Sequence, residues 1–202
     1  MQLRRADVVA GALILLDAEG LDALTMRKLA AQLGVQAGGL YWHFKNKSAL
    51  LGAMADEIVA PLAAEPAPGS WDAQLTEFGH RYRQALLSHR DGARVVAGTY
   101  VTEPNTVRGG EMIMRILIDA GFPVERAGWA IFAAGYYVLG HCIEEQAQLT
   151  EGDWAERGAG LPDSALKEAF ETTIRARPEE RFAYGMELLL DGMRARLGEA
   201  RP

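Results

Sequence analysis

The stretch of residues 25–47, TMRKLAAQLGVQAGGLYWHFKNK, places one glycine between two short helical patterns. Before Gly34, apolar residues recur at the spacing of a helix with one buried face. After Gly34, Leu40 and Phe44 lie four residues apart, so they share a face of a second helix. Two short helices joined by a tight turn that contains glycine form a helix-turn-helix. The stretch therefore predicts a small helical unit whose second helix has one buried side and one exposed side.

The second helix of such a motif is narrow enough to enter the major groove of duplex DNA. Its exposed side carries aromatic rings and hydrogen-bonding tips, and cations that can reach phosphate lie near both helices. A small helical bundle of any function also contains two helices and a glycine turn, so periodicity alone leaves a purely structural role open. The residues that we expect to contact DNA on this basis are Arg27, Lys28, Tyr41, Trp42, His43 and Lys47.

The longer run LTMRKLAAQLGVQAGGLYWHFKNKSALL resembles the DNA-binding segment of the tetracycline-repressor (TetR) family of bacterial regulators. Two later stretches, ALLSHRDGARVVAGT and GYYVLGHCIEEQ, are similar to ligand-domain segments of the tetracycline-repressor subgroup, so the resemblance covers nearly the whole chain. It implies an all-α homodimer that binds a near-palindromic DNA operator, represses transcription and is released by a small-molecule inducer. It also implies that Gly38 and Gly39 occupy base-contacting positions. Because glycine has no side chain, we expect a different operator, with Arg27 as the main candidate for a base contact.

Charge is distributed unevenly along the chain, whose net charge is −6. Residues 1–47 hold six Lys and Arg against four Asp and Glu, whereas residues 48–202 hold fifteen against twenty-three. DNA repels an acidic body and attracts a mildly basic end, so this asymmetry orients the molecule. A single cysteine excludes an internal disulfide, and no basic start precedes a long apolar segment. We therefore expect a cytoplasmic protein without membrane contact.

The pattern after the motif predicts helices and no sheet, which gives an all-α fold of two parts. Residues 1–47 are expected to form a three-helix DNA-binding domain, in which Thr25 caps the second helix. A connecting helix covers residues 46–60 and has Asn46 as its cap. Prolines and a glycine then break the pattern, so residues 61–202 are expected to form a ligand-binding and dimerisation domain.

Two long helical patterns, residues 124–148 and 181–197, carry more apolar surface than we expect one small bundle to bury. Matching helices form a four-helix dimer interface in the TetR family, so the resemblance implies the same role here. The apolar side of the last helix consists of Phe182, Met186, Leu189, Leu190 and Met193.

Aromatic and methionine side chains are frequent in the second domain, where such residues more often form plain core than a pocket wall. The resemblance favours a pocket, because positions in this domain match the drug site of the tetracycline-repressor subgroup. The expected ligand-binding residues are Phe78, Tyr82, Val96, Thr99, Tyr100, Met112, Ile131, Phe132 and Tyr136.

The chain departs from the subgroup where a magnesium-chelated drug would be held. Val96 replaces the histidine that binds magnesium there, a second histidine falls at or beside Ala63, and a drug-binding asparagine falls on Phe78. These apolar side chains cannot ligate a metal. The adjacent His141 and Cys142 do not converge on one helix face, so we expect neither a metal nor a cofactor. The inducer is expected to be a largely apolar or aromatic molecule.

The sequence contains no nucleophile beside a base, no glycine-rich phosphate loop and no paired carboxylates with a family spacing, so we do not expect an enzyme. Two alternatives stay open: an enzyme assembled from scattered residues, and a small-molecule-binding helical dimer whose helix-turn-helix is only scaffold. A repressor is expected to retain duplex DNA at low salt, whereas neither alternative is. The short segment 91–99, bounded by Gly92 and Gly98, is the expected link between pocket and DNA-binding domain.

Overall fold

The computed structural model describes residues 3–66, 68–99, 102–147, 153, 156 and 158–199. Among these residues no β-strand occurs, which confirms the all-α prediction. The helices are α1 (Arg5–Glu19), α2 (Met26–Gln32), α3 (Ala37–Tyr41), α4 (Lys47–Ile58), α5 (Trp71–Leu87), α6 (Gly92–Ala97), α7 (Pro104–Asp119), α8 (Val124–Gln146), α9 (Ala165–Arg175) and α10 (Pro178–Glu199). A 3-10 turn, Ala60–Ala63, follows α4, and the predicted helix end at Gln148 lies outside the described residues. We call α1–α3 the head and α5–α10 the body, with α4 between them.

Local signals set the start of the helices in and after the head. Thr25 Oγ1 accepts a hydrogen bond from the backbone nitrogen of Lys28 at 3.2 Å, and Asn46 Oδ1 accepts one from that of Ala49 at 2.8 Å. Both predicted N-caps are confirmed, and each satisfies an amide that has no partner inside its own helix. Gly34 follows α2 with a φ of +67°, a left-handed conformation that glycine adopts without strain. The predicted helix-turn-helix is therefore present.

One hydrophobic core joins the head to the body. It contains the inner faces of α1, α2 and α4, together with Leu40 and Phe44. Leu62 from the 3-10 turn and Val95 from α6 belong to the same core. Helix α6 is therefore packed directly against the head through this shared core.

The body has its own core between α5, α7, α8 and α10. The residues that we expected on the surplus apolar side of α10 are mostly covered by this core, because four of the five are buried and Leu189 is half-buried. The same chain's α5 and α8 already cover this side of the helix. The buried residues of α10 are Phe182, Met186, Leu190 and Met193.

Large apolar side chains lie instead on the outward faces of α8 and α10. Trp129 of α8 is exposed, and Tyr184 and Leu188 of α10 are 70% and 56% exposed. Extended apolar surface of this kind is typical of interaction sites. These outward faces, and not the buried side of α10, are available to a second protomer. No helix in the described part of the chain is long and apolar enough to cross a membrane.

A buried ion pair crosses the body beside the single cysteine. Arg83 of α5 is 8% exposed, and its Nε donates to Glu145 Oε2 of α8 at 3.0 Å. Its Nη2 also donates to Glu179 Oε1 of α10 at 3.0 Å, so one guanidinium joins three helices. Cys142 lies fully buried in the adjoining core, and this burial raises the pKa of its thiol to about 12.

Candidate functional site

The exposed side of the helix-turn-helix carries the aromatic groups of α3 and the residue that follows it. Tyr41 is 52% exposed and Trp42 is 89% exposed, whereas Leu40 is fully buried. Gly38 and Gly39 also lie on α3, and a methyl group added at either would meet no atom within 4 Å. The surface of α3 is therefore open toward its amino-terminal end, where recognition helices contact base edges.

Arg5 of α1 fixes the backbone just after α3. Its guanidinium carbon lies 4.2 Å from the centre of the Phe44 ring, and its Nη1 donates to the carbonyl oxygen of His43 at 3.1 Å. The cation–π contact and the hydrogen bond anchor the turn after α3 to α1. His43 is consequently presented on a backbone that the rest of the head keeps in place.

The three cations expected to contact DNA have different surroundings. Lys28 forms an ion pair with Glu19, and Lys47 Nζ lies 3.5 Å from the carbonyl oxygen of Leu21. Arg27 is exposed, and no hydrogen bond or ion pair joins it to another described residue. Of the three, Arg27 is the one whose side chain has no polar partner within the described part of the chain.

A cavity of about 520 Å³ lies where the body meets α4. Helices α4 to α8 and α10 all contribute to its wall. Tyr100 lies outside the described residues, so its predicted position in the wall has no structural account. The predicted residues that the structure brings together around the cavity are Phe78, Tyr82, Val96, Thr99, Ile131, Phe132 and Tyr136.

Met112 does not line this cavity, unlike the other predicted ligand-binding residues that the structure describes. The cavity side of α7 is formed by Gly109, Gly110 and Ile113. Met112 lies about 100° around the helix from Ile113, and it borders a separate groove with Trp71. The orientation of α7, which sequence comparison does not reveal, decides which of its residues face the cavity.

The polar end of the cavity was not predicted from the sequence. Thr102, Asn105 and Thr106, at and before the start of α7, line this end. Asp56 of α4 is only 9% exposed, and it accepts hydrogen bonds from the backbone nitrogen of Thr106 at 2.9 Å and from its hydroxyl at 3.0 Å. Pro104 signals the helix start locally. The cap itself comes from a residue 50 positions away, so no local pattern could have indicated it.

The described wall of the cavity contains no Asp, Glu, His, Cys, Lys or Arg. Mg²⁺ in proteins is usually held through carboxylates together with water and phosphate, so these residues do not fit a ligand anchored by a protein-bound metal. Over the described ranges as a whole, no group of three or more His, Cys, Asp and Glu side chains could hold a metal ion. Burial raises the pKa of Tyr82 to about 12, so its hydroxyl remains a neutral hydrogen-bonding group.

Two family models match the two parts of this architecture. Residues 8–54 match the model described as bacterial regulatory proteins, tetR family, and residues 64–197 match that of the tetracyclin repressor-like C-terminal domain. The chain belongs to the TetR family.

Relatives of this TetR-family chain match nearly all of it. The class E tetracycline repressor of Escherichia coli is 38% identical over 200 residues, which cover 96% of this chain and 92% of the relative. A possible TetR-family transcriptional regulator from Streptomyces coelicolor A3(2) is 39% identical with a TM-score of 0.86, covering 95% of this chain and 99% of that one. ActR from Streptomyces coelicolor, solved with actinorhodin, is 29% identical with a TM-score of 0.84, covering 98% and 100%. Membership of this family of regulators makes the chain a regulator and not an enzyme.

In this TetR-family chain, α6 connects the cavity to the head. Val96 lines the cavity, while the adjacent Val95 is buried in the core of the head. At the start of α6, a methyl group on Gly92 would lie 2.4 Å from the carbonyl oxygen of Leu86. Helices α5 and α6 are therefore in close contact at this point, which leaves no room for a side chain at residue 92.

Polar contacts also join the start of α6 and the preceding turn to the head. Asp17 Oδ2 lies 2.9 Å from His89 Nδ1, and Asp17 Oδ1 accepts a hydrogen bond from the backbone nitrogen of Arg90 at 2.9 Å. Further along, Arg94 forms an ion pair with Asp22 at 3.0 Å. The segment that we expected to link pocket and head therefore contacts the head directly.

Proposed function

We propose that this TetR-family regulator represses transcription by binding operator DNA and leaves the operator when a small, largely apolar or aromatic molecule enters the cavity. The proposal depends mainly on α6, where Val96 lines the cavity while Val95 is packed in the head. A ligand releases DNA only if it binds more tightly to the arrangement of heads that does not fit the operator. Neighbouring residues that face the two sites supply the physical connection that this requires.

In the proposed complex, residues 1–47 of each protomer contact DNA and residues 61–202 hold the ligand and form a homodimer. The two heads then meet half-sites about one helical turn apart on a near-palindromic operator. Such a complex on chromosomal DNA would act in the cytoplasm. The proposed DNA-contacting residues are Arg27, Lys28, Gly38, Gly39, Tyr41, Trp42, His43 and Lys47.

The proposed ligand class follows from the wall of the cavity. Phe78, Tyr82, Phe132 and Tyr136 supply four aromatic rings, and none of the described wall residues is charged. Such a wall holds a flat, neutral molecule by burial and ring contact, with a few polar groups to orient it. The relatives named above include a tetracycline repressor and ActR, which was solved with actinorhodin. They support a small organic molecule as ligand.

DNA binding is tested by selecting sequences from a pool of random duplexes with the purified protein. We expect enrichment of a near-palindromic sequence, and we expect Trp42→Ala to weaken binding to it, because Trp42 is 89% exposed beside α3. Ile14→Ala serves as the matched control, since Ile14 is an exposed apolar residue on α1. If the wild-type protein retains no duplex at low salt, the helix-turn-helix is only scaffold and the proposal fails.

The ligand class is tested by titrating the selected protein–operator complex with magnesium-tetracycline and, separately, with neutral aromatic compounds. We expect only the neutral compounds to release the operator, since the cavity wall lacks a metal-binding side chain among the described residues. Val96→His serves as a control, and it should not create a tetracycline response, because Ala63 and Phe78 still offer no polar anchor. Release of the wild-type complex by micromolar magnesium-tetracycline would show that the ligand class is wrong.

A further inference from the structure

The hydrogen bonds behind the cavity wall determine which polar groups the wall can offer to a ligand. The carboxylate of Asp56 accepts from two groups of Thr106, the backbone nitrogen at 2.9 Å and Oγ1 at 3.0 Å. It also accepts a longer hydrogen bond of 3.4 Å from the backbone nitrogen of Asn105. A carboxylate has no hydrogen to give, so the hydroxyl hydrogen of Thr106 must point at Asp56.

A hydroxyl group has one hydrogen and two lone pairs. With its hydrogen directed at Asp56, Thr106 can offer the cavity only a lone pair. Thr99 is in the same situation, because its Oγ1 donates to the carbonyl oxygen of Val96 at 3.0 Å. Two hydroxyls in the wall are therefore available as acceptors and not as donors.

Asp56 also holds Thr106 in place. Asp56 is buried, at 9% exposure, and its backbone carbonyl oxygen accepts a hydrogen bond from Asn105 Nδ2 at 3.3 Å. Helix α4 and the start of α7 are therefore joined through several atoms. The hydroxyl hydrogen of Thr106 cannot turn toward a ligand without losing its hydrogen bond to the buried Asp56. Thr106 therefore favours ligands that carry a hydrogen-bond donor.

We propose that the molecule that fills this cavity is a neutral aromatic compound with a hydroxyl or N–H group, and that Thr106 accepts its hydrogen bond. The inference rests on the proposed function, in which this cavity is the inducer site. The absence of charge from the described wall requires a neutral molecule, because an ionised group buried without a partner is strongly disfavoured. The aromatic rings of the wall favour an aromatic body, and Thr106 adds the requirement for a donor.

The test compares two probes that differ in one substituent, a hydroxyl group in one and its methyl ether in the other. 2-Naphthol can donate a hydrogen bond and 2-methoxynaphthalene cannot, and the affinity of each is measured by isothermal titration calorimetry on the full-length dimer. We expect the affinity for 2-naphthol divided by the affinity for 2-methoxynaphthalene to be roughly threefold to tenfold higher for the wild type than for Thr106→Val. This range corresponds to the loss of one neutral hydrogen bond. Thr106→Ser keeps the hydroxyl and should keep the wild-type ratio.

Thr106→Val leaves the backbone nitrogen of residue 106 free to donate to Asp56, so the cap of α7 persists, and thermal melting checks that each variant is folded. An equal ratio in wild type and Thr106→Val would overturn the proposal. The proposal would also be overturned if neither probe bound at concentrations up to its solubility limit. Binding of the charged 2-naphthoate as tightly as 2-naphthol would overturn it too.

Operator binding is measured in a separate assay. Failure of the proposed regulatory function can then be distinguished from failure of the proposed role of Thr106. If 2-naphthol binds with the expected preference and never releases the operator, the cavity chemistry stands and the regulatory function fails. If the operator is released equally by 2-naphthol and its methyl ether, the function stands and the proposed role of Thr106 is wrong.

Discussion

Asp91 accepts a hydrogen bond from Leu21 across the boundary between body and head: its Oδ2 lies 2.9 Å from the backbone nitrogen of Leu21. The other oxygen of Asp91 pairs with Arg94 at 3.0 Å. Asp91 has a φ of 56°, the only positive value outside glycine among the described residues, and it immediately precedes α6. The turn between α1 and α2 is thus attached to the helix that lines the cavity. We expect changes in the position of α6 to reach the head through this bond as well as through Val95.

Removal of this attachment is expected to reduce communication between cavity and head. Val96→Trp should fill the cavity, push α6 as a ligand would, and weaken operator binding by roughly tenfold. In an Asp91→Gly background, the same substitution should weaken binding by no more than about threefold, because a coupling contact of about 1 kcal/mol has been lost. Gel-shift titrations of the four proteins give the comparison.

Glycine tolerates the left-handed backbone at this position, so Asp91→Gly removes the carboxylate without adding strain. Asp91→Asn keeps an oxygen acceptor, tolerates the same backbone, and serves as the matched control. Equal weakening by Val96→Trp in the wild-type and Asp91→Gly backgrounds would show that the bond to Leu21 does not contribute to coupling.

Lys47 is expected to bind a DNA phosphate. Its Nζ is 3.5 Å from the carbonyl oxygen of Leu21, a long contact that leaves the ammonium able to turn toward DNA. Lys47→Ala should weaken binding to all sequences alike and lower the slope of log affinity against log salt by about one unit. Lys167→Ala, which removes a cation paired with Asp163 on the body, is the control. An unchanged slope in Lys47→Ala would remove this residue from the interface.

The exposed side of α10 is expected to form part of the dimer interface. Leu188→Arg places a charge on that side and should shift the protein to monomers in multi-angle light scattering at micromolar concentration, because a charge buried without a partner is disfavoured. Ile14→Arg, on the exposed side of α1, should leave the dimer intact. A wild-type protein that scatters as a monomer would contradict the assembly, and a dimeric Leu188→Arg protein would place the interface elsewhere.

Acid stability is expected to depend on Asp72, which lies in the first turn of α5. The hydroxyl of Ser70 and the guanidinium of Arg194, whose Nη2 is 2.7 Å from Asp72 Oδ2, lower the pKa of Asp72 to about 2. A carboxyl group whose pKa is lowered by folding stabilises the protein above its unfolded pKa, near 3.8, and this stabilisation disappears as the pH falls toward about 2.

Melting temperatures measured over that pH range should therefore fall less steeply for Asp72→Asn than for the wild type. Asp163→Asn, on a strongly exposed carboxylate, provides the comparison. Parallel curves for wild type and Asp72→Asn would show that the contact with Arg194 does not persist in solution.

Features that depend on short stretches of sequence were predictable. Thr25 and Asn46 act within one helical turn, so they identified two helix starts, and Leu40 marked the buried side of α3. Phe44 is buried as well, but α3 ends at Tyr41, so its predicted place in that helix is wrong. A family resemblance extended the prediction to seven residues of the cavity wall. Propensity and spacing are local quantities, and they succeed where the deciding contact is local.

The failures occur where the deciding contact comes from a distant helix. On α10, apolar residues lie on two sides, and only packing against α5 and α8 shows that Phe182 points inward while Tyr184 points outward. The position of Met112 depends on the rotation of α7 in the same way. The cap that Asp56 supplies to Thr106 joins residues 50 positions apart, and a lone aspartate in a helical pattern gives no sign of it.

The burial of Cys142 makes each protomer suitable for site-specific labelling. A thiol with no exposed surface and a pKa near 12 is hardly ever a thiolate at neutral pH, so maleimides and methanethiosulfonates will not modify it. A cysteine introduced at the exposed Ala10 of α1 would then be the sole reactive thiol of the protomer. Spin labels at that position in the dimer would measure the distance between the two heads directly, with and without a molecule in the cavity, and without first removing the native cysteine.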